Sequence, residues 1–185
     1  MTQIHLVRHG KAAAGFGSHK DPGLDELGRR QAQAVAAMLH ERHADDRPIL
    51  YSSPLARAME TSQPLAAEWN CQVGIEPRVA EIPSPTEDLL ERAQWLQNAM
   101  QGDWSALNKD AQAWRQAMVE HLLDQTENCI IFSHFVAINA AVGAATNDDR
   151  MRIVAPDNCS VTTLENTSGR LAVIALGVTA ETHIN

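Results

Sequence analysis

Three short stretches of this chain place charged or imidazole side chains where an apolar run gives way to polar residues. Arg8-His9-Gly10 follows the alternating run Gln3–Val7. Ser52-Ser53 ends a second run, with Arg57 one helical turn further on, and Ser133-His134 ends a third. Two arginines can grip phosphate oxygens bidentately. A helix N-terminus adds backbone N–H donors and the positive end of a dipole. A neutral imidazole at His9 can attack phosphorus and leave a covalent phosphohistidine, while Arg8 and Arg57 stabilise the charge on the equatorial oxygens. Gly10 lets the backbone turn sharply and lets a ligand come close. The remaining need is an acid for the leaving oxygen. Glu81, in the proline-rich loop 81–85, is the candidate, because partial burial and a nearby phosphate charge would raise its pKa.

Each of these residues also has an ordinary reading. Arg8 and His9 alone read as a surface pair. Arg57 reads as one half of a weak ion pair with Glu60 or Glu68, and His134 as a satisfied core histidine. Glu81 reads as a solvated loop carboxylate. Glu87 and Asp88 are its rivals, although both suit the first turn of a helix. His5 and His9 are four apart on a strand with no third ligand in view, so no metal site is expected. His19, His40, His43 and His121 are expected to be solvated, with Lys11 and His19 in the loop that follows His9. Trp69, Trp95, Trp104 and Trp114 fall on or beside helices and read as packing residues.

The elements that must position these side chains follow from periodicity and punctuation. Residues 3–7 read as a strand, and 12–23 as a loop studded with Gly15, Gly17, Pro22 and Gly23. From about 24 to 42, Leu27, Ala34, Val35, Met38 and Leu39 fit a helical face that Asp25 could cap. Residues 48–52 read as a strand. Residues 54–69 read as a helix opened by Pro54, which Pro64 should kink or break. Residues 71–79 suggest a short strand, and 87–100 and 107–125 two helices. The continuous apolar run 128–133 reads as a strand buried on both faces, and 135–145 as a buried helix. Residues 160–164 and 171–176 flank Asn166-Thr167-Ser168-Gly169, a hairpin signal. Strands alternating with helices and closing on a hairpin predict an α/β three-layer sandwich with a mixed, mostly parallel sheet. Ligands of such sheets bind at the carboxyl ends of the strands, where all three polar stretches lie.

Composition narrows the function. The chain has 185 residues, 44% hydrophobic and 21% charged, which suits one folded domain of 1–185 and argues against disorder. No apolar run approaches a membrane span, and the N-terminus does not read as a signal peptide. A net charge of −8 argues against nucleic-acid or anionic-membrane partners. The three cysteines, Cys71, Cys129 and Cys159, form no C-x-x-C and read as buried free thiols of a cytoplasmic protein.

Taken in order, the motifs resemble those of the histidine phosphatase superfamily, the group that includes the phosphoglycerate mutases. They are Arg8-His9-Gly10, then Leu24-Asp25-Glu26-Leu27-Gly28 with Gln31-Ala32, then Ser52-Ser53-Pro54-Leu55-Ala56-Arg57-Ala58 with Thr61, then Ser133-His134 and Asn158-Cys159-Ser160-Val161-Thr162. The resemblance spans nearly the whole chain. It implies that His9 is the phosphorylated nucleophile and that Arg8, Arg57 and His134 complete the phosphate pocket. It also implies that Glu81 is the acid and that hydrolysis needs no metal or organic cofactor. The chain departs from the family pattern in having Phe135 after the second histidine and Lys11-Ala12-Ala13-Ala14-Gly15 after the first motif. The second departure, together with a small helical cap within about 82–125, favours a phosphatase over a mutase, whereas Phe135, which lines the pocket or packs in the core, is the feature that speaks for a non-catalytic role. The expected partner is a small phosphorylated substrate. A phosphoprotein (phosphohistidine) substrate and a non-catalytic phosphate-binding role are the alternatives.

Overall fold

The computed structural model describes residues 1–15 and 17–179; the last six residues of the 1–185 span lie outside the described residues. Six strands form one sheet: β1 (Thr2–Arg8), β2 (Ile49–Ser52), β3 (Gly74–Ile75), β4 (Cys129–Ser133), β5 (Val161–Thr167) and β6 (Arg170–Ala175), in the order β3-β2-β4-β1-β5-β6. The pairs β2·β3, β2·β4 and β1·β4 are parallel, whereas β5 runs antiparallel to both its neighbours. The sheet is therefore mixed and mostly parallel.

Period-two alternation splits the core between two faces. Val7, Leu50, Ile130 and Phe132 meet Val35, Ala36 and Leu39 of α1 (Glu26–Arg42) and Leu65 and Trp69 of α2 (Ala56–Trp69). Ile4, Leu6, Cys129 and Ile131 meet residues of α3 (Leu89–Ala99), α4 (Lys109–Leu123) and α5 (Phe135–Thr146). Every residue of β4 is buried, as its continuous apolar run requires of a central strand covered on both faces. Three helix starts carry the expected side-chain caps: Asp25 accepts from the Gly28 N–H, Asp88 from Leu90 and Glu91, and Asn108 from Ala111.

Several local expectations are corrected. The face of α1 that packs is Gly28, Ala32, Val35, Ala36 and Leu39, while Leu27, Ala34 and Met38 face water. Pro64 lies inside α2 without ending it. Its ring removes one N–H donor, but the helix keeps Leu65 and Trp69 buried, and that packing outweighs one absent hydrogen bond. The strand expected over 71–79 shrinks to Gly74–Ile75, followed by a 3-10 turn at Pro77–Val79. Of the cysteines only Cys129 is buried, and Cys71 is exposed. His121 is buried rather than solvated, 3.4 Å from Glu76 Oε2 and edge-on to Tyr51. Among the described residues, no helix is long and apolar enough to cross a membrane.

Candidate active site

Parallel pairing brings the three polar strand ends to one edge of the sheet. Arg8 is the last residue of β1 and pairs in register with Ser133, the last of β4, and β2 ends beside them at Ser52. The turn after β1 is clamped on both sides. The His9 N–H donates to Ser133 O at 3.0 Å and Arg8 N–H to Ser160 O at 3.1 Å, while Cys159 N–H donates to Arg8 O and Asn158 Nδ2 to His9 O, each at 2.9 Å. Gly10 then joins this turn to α2. Its N–H donates to Thr61 Oγ1 at 3.0 Å, and the Thr61 hydroxyl donates to Arg57 O at 2.6 Å. A side chain at position 10 would put its Cβ 2.6 Å from Gly28 O, and one at position 28 would collide with the Lys11 carbonyl. Both glycines are needed so that the loop after His9 can lie directly on the first turn of α1.

The hydrogen bonds decide the state of His9. Its Nδ1 lies 2.7 Å from Gly10 O, and a carbonyl only accepts, so Nδ1 carries the proton. The lone pair is then on Nε2, to which Arg57 Nε donates at 3.2 Å. Burial, and then the charges of Arg57 and Arg8, hold the His9 pKa well below the ordinary 6.5, so the ring is neutral at neutral pH. His134 is fully buried with its ring centroid 5.2 Å from that of His9. Its Nε2 sits 2.8 Å from Ser53 Oγ, and its Nδ1 has no hydrogen-bond partner among the described residues. Burial, Arg57, His9 and Arg8 together keep it neutral as well.

The two arginines are held from outside the pocket. Arg8 Nη1 donates to Pro156 O at 2.8 Å, and its guanidinium lies 5.2 Å from the centre of the Phe135 ring. Phe135 thus supports Arg8 and also borders the cleft. Arg57 is 3.6 Å from Asp21, not paired with Glu60 or Glu68; Glu60 pairs with Arg29 instead. Asp21 also accepts the Ala56 N–H at 2.9 Å, capping α2 where Leu55 has no side chain to do so. The sequence reading missed this role, and an aspartate before Pro22 in a turn-rich loop carries no signal for it.

Glu81 reaches the same place. Its carboxylate accepts from the Ile82 N–H at 3.1 Å and from the Val136 N–H, at the start of α5, at 3.5 Å. Burial pushes its pKa up, against the opposing pull of Arg57, the two backbone N–H groups and Arg8. The rivals lie elsewhere: Asp88 caps α3, and Glu87 pairs with Lys20.

A narrow cleft of about 60 Å³ opens over Arg8, His9, Arg57 and Glu81. His19 lines it. Lys11 lines an adjoining groove that shares Arg8, His9, Ala12 and Ala14 with the cleft, and it is paired with Asp25 at 3.2 Å. Leu96 and Met100 of the α3 region also line the cleft, which the sequence reading did not find; their spacing of four on a helix was the available signal. No cluster of three His, Cys, Asp or Glu able to hold a metal ion occurs among the described residues.

The arrangement can bind a phosphate dianion between two guanidinium groups and present an imidazole lone pair to phosphorus, with the Glu81 carboxyl, its pKa raised by burial, alongside. Comparison with known proteins gives the same direction. The histidine phosphatase superfamily (branch 1) matches residues 4–179, and the chain belongs to that family. Phosphoserine phosphatase 1 of Hydrogenobacter thermophilus is 24% identical over 202 residues, covering 97% of this chain and 93% of that protein. The uncharacterized protein Rv0525 of Mycobacterium tuberculosis is 34% identical over 119 residues, 62% of this chain; the match spans only about half (52%) of that relative's length. Among solved structures, the phosphoserine phosphatase of Entamoeba histolytica in complex with phosphoserine has a TM-score of 0.74 at 21% identity. It covers 95% of this chain and 96% of that one, a likeness of fold.

Proposed function

We propose that this member of the histidine phosphatase superfamily is a phosphatase that hydrolyses a phosphomonoester through a phosphohistidine on His9, using side chains alone. The observation that carries the reading is the state of His9. Gly10 O holds the Nδ1 proton, and the Nε2 lone pair accepts from Arg57 Nε in a pocket that keeps the ring uncharged. Arg8 and Arg57 bind the phosphate oxygens, which displace Arg57 Nε from Nε2, and Nδ1 of His134, which has no partner among the described residues, adds a further polar contact. Nε2 attacks phosphorus as the ester P–O bond breaks, and the Glu81 carboxyl gives its proton to the leaving oxygen. Water then attacks the phosphohistidine, Glu81 takes back a proton, and inorganic phosphate leaves with His9 neutral again.

Residues 82–125 act in this reading as a small cap, through the Leu96 and Met100 side chains that border the cleft. A mutase is supported less, because among the described residues the loop after His9 offers the cleft Ala12 and Ala14 alone before His19. A phosphohistidine-protein substrate is also supported less, because its leaving group has little need of the acid that Glu81 supplies. The test is phosphate release from p-nitrophenyl phosphate with EDTA present, for wild type and His9→Ala. The expected result is EDTA-resistant turnover that falls to background in a folded His9→Ala protein. Retained turnover in the variant overturns the mechanism.

A further inference from the structure

The cleft over His9 has two unlike ends. One is cationic, with Arg8, His9 and Arg57 beside Glu81. The other is apolar. Leu96 and Met100 stand one turn apart at α3, Phe135 and Val136 begin α5, and Ala12 and Ala14 face them from the loop after His9. All four larger side chains are at most 9% exposed, so this wall is built into the core and does not form around a ligand. Among the described residues, the remaining polar side chains of the lining are His19 and Lys20, both exposed. The Lys20 ammonium is paired with the Glu87 carboxylate, which offsets its charge. Arg92 of α3 is near enough to act on the charge of Arg57, yet it is not part of the cleft lining.

The direction of the leaving group follows from Glu81. Its carboxylate touches the Val136 N–H, so a leaving oxygen that takes the Glu81 proton places its carbon next to Val136. From there the rest of the alcohol runs over Phe135, Leu96 and Met100. A carboxylate or ammonium on that carbon skeleton would lose its water against methyl and aromatic groups, and the cations of the described lining nearest to it, Arg8 and Arg57, are engaged by the phosphate. An alkyl or aryl group would gain from the same burial.

We infer that the substrate is a phosphomonoester of an apolar alcohol with no second charged group, in contrast to phosphoserine, the ligand of the Entamoeba histolytica structure. This inference rests on the phosphatase reading above and specifies its substrate class.

The test is a homologous series of ethyl, butyl and hexyl phosphate, whose leaving groups have matched acidity, so that differences report contact with the wall. The expected kcat/KM rises about threefold to fourfold per methylene until the wall is covered. The ester of butyl length that ends in a carboxylate is expected at least about tenfold below butyl phosphate. Met100→Lys, and separately Leu96→Gln, should flatten the series; each is checked for folding by its thermal transition. A flat series in the wild type, or a preference for the carboxylate ester, overturns the inference. If the folded protein releases phosphate from no ester, aryl phosphates included, the phosphatase reading itself fails. Calorimetry with phosphonates, which need no turnover, still decides the wall. Hexylphosphonate binding about tenfold or more tighter than 3-phosphonopropionate supports an apolar site; equal or reversed affinities overturn it.

Discussion

Replacing Glu81 by glutamine removes the proton and the charge while keeping the size of the side chain, at the expense of one of its two backbone contacts, the 3.5 Å one from Val136 N–H. The glutamine oxygen can still accept from the Ile82 N–H, now at 3.1 Å, and the shape is kept. What is lost is an acid whose pKa burial raises against the pull of Arg57 and Arg8. General acid catalysis contributes about 10²–10⁴-fold when the leaving group needs the proton. Glu81→Gln should therefore lower kcat/KM for hexyl phosphate by that order and for p-nitrophenyl phosphate by less than about tenfold, because a nitrophenolate leaves unaided. The alkaline limb of the wild-type profile, which reports loss of the Glu81 proton, should disappear for hexyl phosphate in the variant. Stability gives an independent check. A raised carboxyl pKa means that the unfolded chain releases its proton first, near the ordinary 4.5, so the wild type loses stability as pH rises from there to the folded value. Glutamine never ionises. The variant should match the wild type in thermal transition at pH 4 and exceed it at pH 8. Equal kinetic losses for alkyl and aryl esters would remove Glu81 from the acid role. A variant less stable than wild type at pH 8 would show that the arginines, not burial, govern this carboxyl.

Gly28→Ala should lower stability by about 1–3 kcal/mol, because its Cβ meets the Lys11 carbonyl. Phosphate release should fall with it, since the same loop leads from His9; a variant with wild-type melting and turnover would contradict the close packing of that loop on α1. Acid should destabilise the protein. The His5 pKa is lowered to about 4 by burial, with His43 and Arg42 adding to it, so stability falls as pH drops from 6.5 towards 4, by about 3 kcal/mol from this residue. His5→Gln should show a shallower loss over that window in calorimetric titrations, and an unchanged slope would exclude His5 as a source. Asp21→Ala should cost α2 its cap, about 1 kcal/mol, seen as a fall of about 2–4 °C in the thermal transition, whereas Asp21→Asn keeps an oxygen for the Ala56 N–H and should recover most of it.

Much of this protein was determined by its linear sequence, because the signals are local. The uninterrupted apolar run 128–133 is a strand buried on both faces. Asp25 caps α1, and the turn Ser168-Gly169 closes the final hairpin. Each of the three polar stretches lies at a strand end, where chain punctuation is readable. Local signals failed where packing overruled propensity. Pro64 is carried through α2, His121 is drawn into the core beside Glu76, and Cys71 is left outside. The wall of Leu96, Met100, Phe135 and Val136 was invisible because its parts come from the end of α3 and the start of α5, with α4 and β4 between them in the chain. The convergence of the site was also beyond the sequence. It depends on β1 and β2 both pairing in parallel with β4, which aligns their carboxyl ends and sets Arg57 against His9 Nε2. Residue types and their order are properties of the chain. The neutral state of His9, the raised pKa of Glu81 and the side from which a leaving group can exit come from desolvation and distance, and those exist only once the chain has closed on itself.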